Sequence, residues 1–137
     1  AVALAGIDRM RDQMDEAAKT AKGDPLAPIM ALGLCYANFA RTEQGVFRLM
    51  FGLTKGHDED PELQAHGDAC FDVVKREVRA FLGDGPPDQE IERRSYMLHM
   101  FVHGHAFLEI DGKHDLDMSE GQEAMLMADI ARRIMQD

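Results

Sequence analysis

Ser95-Tyr96-Met97-Leu98-His99-Met100-Phe101-Val102-His103-Gly104-His105-Ala106-Phe107-Leu108 contains no Asp, Glu, Lys or Arg, although charged residues make up 29% of the chain. Its apolar residues do not keep to one stripe. Tyr96, Met97, Leu98, Met100, Phe101, Val102, Ala106, Phe107 and Leu108 run round the whole circumference of a helix, and a helix that is apolar all round has to be covered on all sides. A bilayer span takes about 20 such residues, so the cover is expected to be protein. In so small a chain one face reaches the subunit's own core, and the other is expected to meet a partner subunit. Pro86-Pro87-Asp88 offers a rigid approach and a capping carboxylate, and Glu90 and Glu92 sit near the positive end of the dipole. Gly112 offers a left-handed stop. The longest helix is therefore expected over 88–111.

Working outward, the other segments also repeat at three and four. Leu4, Ile7, Met10 and Met14 mark a first helix over 1–21, closed at Lys22-Gly23. No capping residue stands ahead of it, so a preceding segment is expected. Asp24-Pro25 reads as the cap and first-turn proline of a second helix, with Leu26, Ile29, Met30, Gly33, Ala37 and Ala40 on one face. Leu34, Cys35 and Phe39 give it a second apolar face. A break at 42–45 precedes a short apolar segment, 46–51, and then a polar loop, 52–60. Asp60-Pro61-Glu62 starts a helix carrying Leu63, His66, Cys70, Phe71, Val74, Val78, Phe81 and Leu82, which ends at Gly83. After a polar turn over 112–118, Ser119 and Gln122 have the spacing of a capping box for a last helix over 119–136. No stretch alternates with period two. The expected class is all-α, a bundle of about six helices.

A length of 137 residues is one domain, 1–137, with a core large enough to fold unstapled. Hydrophobic content of 45% excludes a disordered chain, and a formal charge of −10 argues against nucleic-acid binding by this segment alone. Cys35 and Cys70 sit inside helical patterns without CxxC spacing, as small core residues in a reducing compartment. Neither a signal peptide nor an apolar run of membrane length is present, so the expected location is cytoplasmic with no membrane partner. No Ser-His-Asp order, phosphate-binding loop or pair of carboxylates on an apolar face occurs. No catalytic residue and no cofactor are expected.

His99 and His103 lie four apart and could share a metal, but the nearest acid on that face, Glu92, is two turns away. A histidine hydrogen-bonded through one ring nitrogen is the commoner case, so no metal ligand is assigned. Gly104 sits mid-helix, where glycine costs about 1 kcal/mol against alanine. Close approach of another helix offsets that cost, either within the subunit or across a dimer. The ten methionines and the phenylalanines are mostly core, yet thioethers and aromatics are also what adaptable apolar pockets are made of.

Phe39-Ala40, then Phe47-Arg48-Leu49-Met50-Phe51, then His103-Gly104 on a long apolar helix together resemble the C-terminal half of TetR-type transcriptional regulators. The similarity runs over about 26–112 and is nearest to the branch named for a Trp-His-Gly motif. This chain has no tryptophan, and Val102 stands before His103-Gly104. The resemblance implies a helical domain that binds a small apolar or amphipathic effector and forms a homodimer. In it the last two helices pair with their mates in a four-helix bundle, and DNA is bound only by an N-terminal helix-turn-helix absent from this chain. Helix faces combined with the resemblance place Met30, Tyr36, Phe39, Met50, Phe71, Met97, Met100 and His103 around a ligand. Phe101, Gly104, His105, Leu108, Met127, Ile130 and Ile134 are placed at the dimer seam. The competing expectation is a stand-alone helical metal- or haem-binding protein using His99 and His103.

Overall fold

The computed structural model describes residues 2–51, 61–112 and 118–136. Among them six helices follow one another: α1 (Val2–Thr20), α2 (Ala27–Thr42), α3 (Gln44–Phe51), α4 (Pro61–Leu82), α5 (Asp88–Ile110) and α6 (Glu120–Met135). No strand occurs among the described residues. The all-α expectation holds. The loop expected at 52–60 and most of the turn expected at 112–118 lie outside the described residues.

Helix α2, rather than the apolar stretch of α5, is the axis of the bundle: it packs against each of the other five helices. Its buried residues, Ile29, Leu32, Tyr36, Ala37, Phe39 and Ala40, fall on more than one face, as a central helix requires. Helix α5 covers α2 with one side and leaves Tyr96, Met100 and Leu108 exposed on the other. Helix α1 is simpler, with Gly6, Ile7, Met10, Met14 and Ala18 buried along a single stripe. Gly6 sets how closely α1 crosses α3, because a Cβ there would lie 2.3 Å from Val46 Cγ1.

The helix ends explain the boundaries. Gly112 takes the left-handed conformation that stops α5, at φ 67°. The capping box at α6 is complete: Gln122 N donates to Ser119 Oγ at 3.2 Å, and Ser119 N donates to Gln122 Oε1 at 2.9 Å. Two starts differ from expectation. Helix α2 begins at Ala27 with Pro28 in its first turn, while Asp24 Oδ1 accepts from Leu26 N at 2.8 Å in the turn before it. Asp-Pro therefore builds the approach rather than the helix itself. Helix α5 has Pro87 at its N-cap and no side-chain cap. Asp88 is spent on an ion pair with Arg79, which ties α4 to α5.

The interior divides into two apolar clusters. The larger joins all six helices around Phe39 and Phe47, with Met127 the member from α6. The smaller gathers Leu26, Ile29, Val78, Ile91, Ala131 and Met135 at the other end of α2. Burying a phenylalanine of this kind stabilises by about 1.5–3 kcal/mol. Phe47→Ala, at a position with no exposed surface, is thus a single change that should cost about 3–5 kcal/mol.

Candidate functional site

The two clusters do not meet flush. Between them a cavity of about 70 Å³ runs beside α2. One water takes about 10–15 Å³ of such space. Its walls are Met10 and Met14 of α1, Ile29, Met30, Leu32, Gly33 and Tyr36 of α2, Phe51 of α3, Gly67, Cys70, Phe71 and Val74 of α4, Leu98, His99, Phe101 and Val102 of α5, and Met127, Ile130 and Ala131 of α6. A cavity lined so largely by apolar side chains holds apolar matter better than water. Gly33 keeps it open on the α2 side: a Cβ there would come within 3.1 Å of Met127 Sδ and 3.3 Å of Val102 Cγ2.

The polar groups on this wall are few. Cys70 Sγ donates to Ile7 O at 3.5 Å, and burial pushes its thiol up to about 12. Tyr36 Oη lies 2.5 Å from His103 Nδ1. Burial raises the Tyr36 hydroxyl well above its usual range. The same cause, with His99 next in weight, pulls His103 down to about 4. Both are therefore neutral at pH 7. With Tyr36 donating, the His103 ring carries its hydrogen on Nε2. Burial also lowers His99. Its ring sits 5.3 Å from that of His103, 5.8 Å from Phe71 and 6.1 Å from Tyr36, between centroids.

A second, more open hollow of about 520 Å³ lies between α3, α4 and α5 and shares Phe51, Gly67, Phe71 and His99 with the cavity. Ile7, Met50, Leu63, Gln64, Asp68, Glu92, Tyr96 and His103 complete its wall. The eight residues expected around a ligand are thus distributed over four places. Met30, Tyr36 and Phe71 line the cavity, and Met50 and His103 line the adjoining hollow. Phe39 is buried in the larger cluster, while Met97 and Met100 lie on an outer groove of α5 with Pro87 and Arg93. Sequence reasoning passed over Met10, Met14, Gly33, Cys70 and His99 as lining residues. A second mid-helix glycine, Gly33, was the signal that could have found the site.

Of the seven residues expected at the dimer seam, Met127 and Ile130 line the cavity, joined there by Phe101. Ile134 packs on the smaller cluster. Gly104 and Leu108 are exposed. His105 is buried within the subunit, its Nε2 2.9 Å from Glu123 Oε2. Arg41 joins them: its Nη2 donates to Glu123 Oε2 at 2.7 Å, and its Nε to Glu109 Oε1 at 2.7 Å. Those bonds hold Arg41 above its usual range, the one to Glu109 most. The network binds α2, α5 and α6 together. His105, Glu109 and Glu123 also form a trio of possible metal ligands among the described residues, with ligand atoms within 4.8 Å of one another. The Arg41 guanidinium already neutralises its two carboxylates. His99 and His103 are not part of that trio.

Five helices around α2, with an apolar cavity beside it, define an all-α bundle with a hollow apolar interior. The chain belongs to the tetracyclin repressor-like C-terminal domain family, whose model matches residues 29–132. Among solved structures it is similar to a protein of unknown function from Rhodococcus sp. RHA1, with a TM-score of 0.82 and 25% identity over 99% of this chain and 72% of that one. No curated protein matches it significantly. No helix among the described residues is long and apolar enough to cross a membrane.

Proposed function

We propose that the chain is the effector-binding and dimerisation module of a TetR-like transcriptional regulator, working in the cytoplasm, and that its effector is a small apolar or amphipathic molecule. The observation that carries this reading is the cavity beside α2, walled by methionine, aromatic and aliphatic side chains from all six helices. A ligand lodged there lies among helices from every part of the bundle, so its binding biases how those helices pack. Exposed Met100 and Leu108 on α5 and Met125 on α6 suit a face covered by a second copy. A chain of net charge −10 contacts DNA only through a further domain.

A thermal-shift screen of small aromatic and aliphatic compounds tests the sensor reading. A true ligand at a hundred times its dissociation constant adds about 2.7 kcal/mol to stability. No stabilising compound in a broad apolar set would sink it. Salt-sensitive duplex binding by this chain alone, tighter than micromolar, would contradict the division of labour.

A further inference from the structure

We infer that the ligand enters from the hollow between α3, α4 and α5, anchors on the imidazole of His99, and is an uncharged molecule with an apolar body and one hydrogen-bonding oxygen. This deepens, and rests on, the ligand-binding reading above. His99 stands where hollow and cavity meet, lining both. The other polar side chains of the cavity wall are engaged: Tyr36 Oη with His103 Nδ1, and Cys70 Sγ with the Ile7 carbonyl. The His99 ring makes aromatic contacts with Tyr36, Phe71, Tyr96 and His103. A neutral imidazole offers one donor and one acceptor nitrogen, so it serves an alcohol or a ketone alike.

The charge of the ligand follows from the rim. Asp68 and Glu92 line the hollow, and among the described residues no Lys or Arg does. Lys75, over the Phe71 ring at 5.4 Å, pairs with Asp72 at 3.2 Å. A carboxylate head would face two like charges beside a histidine whose burial keeps it neutral. The tail has an apolar course past Phe71 and Phe51 toward Met10, Met14 and Leu98.

The test is calorimetric titration of the intact chain with 1-octanol, 2-octanone, octanoate and propylbenzene, the last having no polar atom. Octanol and octanone should bind, with octanoate about ten-fold weaker or worse. His99→Phe keeps the ring contacts and should weaken octanol about five- to ten-fold while leaving propylbenzene unchanged. Asp68→Asn with Glu92→Gln, both at exposed positions, should narrow the gap between octanoate and octanol. Octanoate binding as tightly as octanol to the native chain, or octanol indifferent to His99→Phe, overturns this inference alone, provided propylbenzene binds. If none of the four binds, the ligand-binding reading falls and this inference with it.

Discussion

Tyr36 on α2 and His103 on α5 are joined by a 2.5 Å hydrogen bond between Oη and Nδ1, a polar link across a largely apolar interface between the two helices. The contact explains why each group is tolerated there, since a buried hydroxyl or imidazole without a partner costs about 1–3 kcal/mol. Tyr36→Phe should therefore destabilise the chain by about 1 kcal/mol, read from urea denaturation at pH 7. An unchanged midpoint would mean that water replaces the hydroxyl without loss.

The same pair sets a pH dependence. His103 in the folded chain titrates near 4 against an ordinary value of 6.5, so the unfolded chain binds the proton more readily. A base with a depressed folded pKa leaves stability intact above its unfolded value and erodes it as pH falls toward the folded one. The denaturation midpoint should drop between about pH 6.5 and 4, and His99, lowered in the same direction, adds to the slope. Carboxylates titrate near the lower end of that window, so the comparison is with His103→Gln. The variant should show a shallower fall over the upper half of the range.

Gly33 offers a way to shrink the cavity without touching a polar group. The added methyl of Gly33→Ala meets the flexible end of Met127 at 3.1 Å and Val102 at 3.3 Å. Helix propensity favours alanine by about 1 kcal/mol, and the tight contacts oppose it, so net stability should stay within about 1 kcal/mol of the parent. Ligand-induced thermal shifts should fall sharply. Undiminished shifts with a folded variant would place the ligand elsewhere.

Much of the fold was legible because each helix carries its own punctuation. Gly112, the Ser119–Gln122 box and the three-four spacing of Ile7, Met10 and Met14 act within a turn or two of chain, and all appear where their local chemistry puts them. The site was less legible, because lining a cavity depends on which faces of α1, α4 and α6 turn toward α2. Met100 and Met127 illustrate the limit. Both are methionines on apolar helices, yet one is 52% exposed and the other 4%. Periodicity names a face, and only the crossing angles decide what it meets. His105 was unreadable for a related reason: its partner Glu123 lies eighteen residues on, across a different helix.

That distant pairing makes its own prediction. Glu123 accepts from Arg41 and is bonded to His105 while itself buried. Glu123→Ala takes one acceptor from Arg41, which keeps Glu109, and removes the Glu123 bond of buried His105, so it should cost about 1–3 kcal/mol. Glu123→Gln keeps a hydrogen-bonding group and should cost less. A loss below ~0.5 kcal/mol for the alanine, the scale of an ordinary surface change, would show that apolar packing alone holds α6 on α2 and α5.

The last prediction concerns Gly104, whose mid-helix position needs a reason. Packing within the subunit does not supply it: a Cβ there meets nothing within 4 Å. Met100, Gly104 and Leu108 fall four apart on one stripe of α5, with Met100 52% and Leu108 50% exposed, and Met125 of α6 is 69% exposed. Such a stripe, with its smallest residue at the centre, suits the crossing point of a second copy's helix. In a lone subunit Gly104→Ala should be stabilising, by about 1 kcal/mol of helix propensity. In a dimer crossing at Gly104 the same methyl separates the helices and should raise the dissociation constant about ten-fold or more, a loss of about 1.4 kcal/mol. Sedimentation equilibrium across a dilution series, beside thermal melts at the lowest concentration, reads the two effects separately. Opposite signs place the crossing at Gly104. An alanine variant that dimerises as tightly as the parent moves the crossing elsewhere, and a parent chain that stays monomeric at micromolar concentration removes the dimer face altogether.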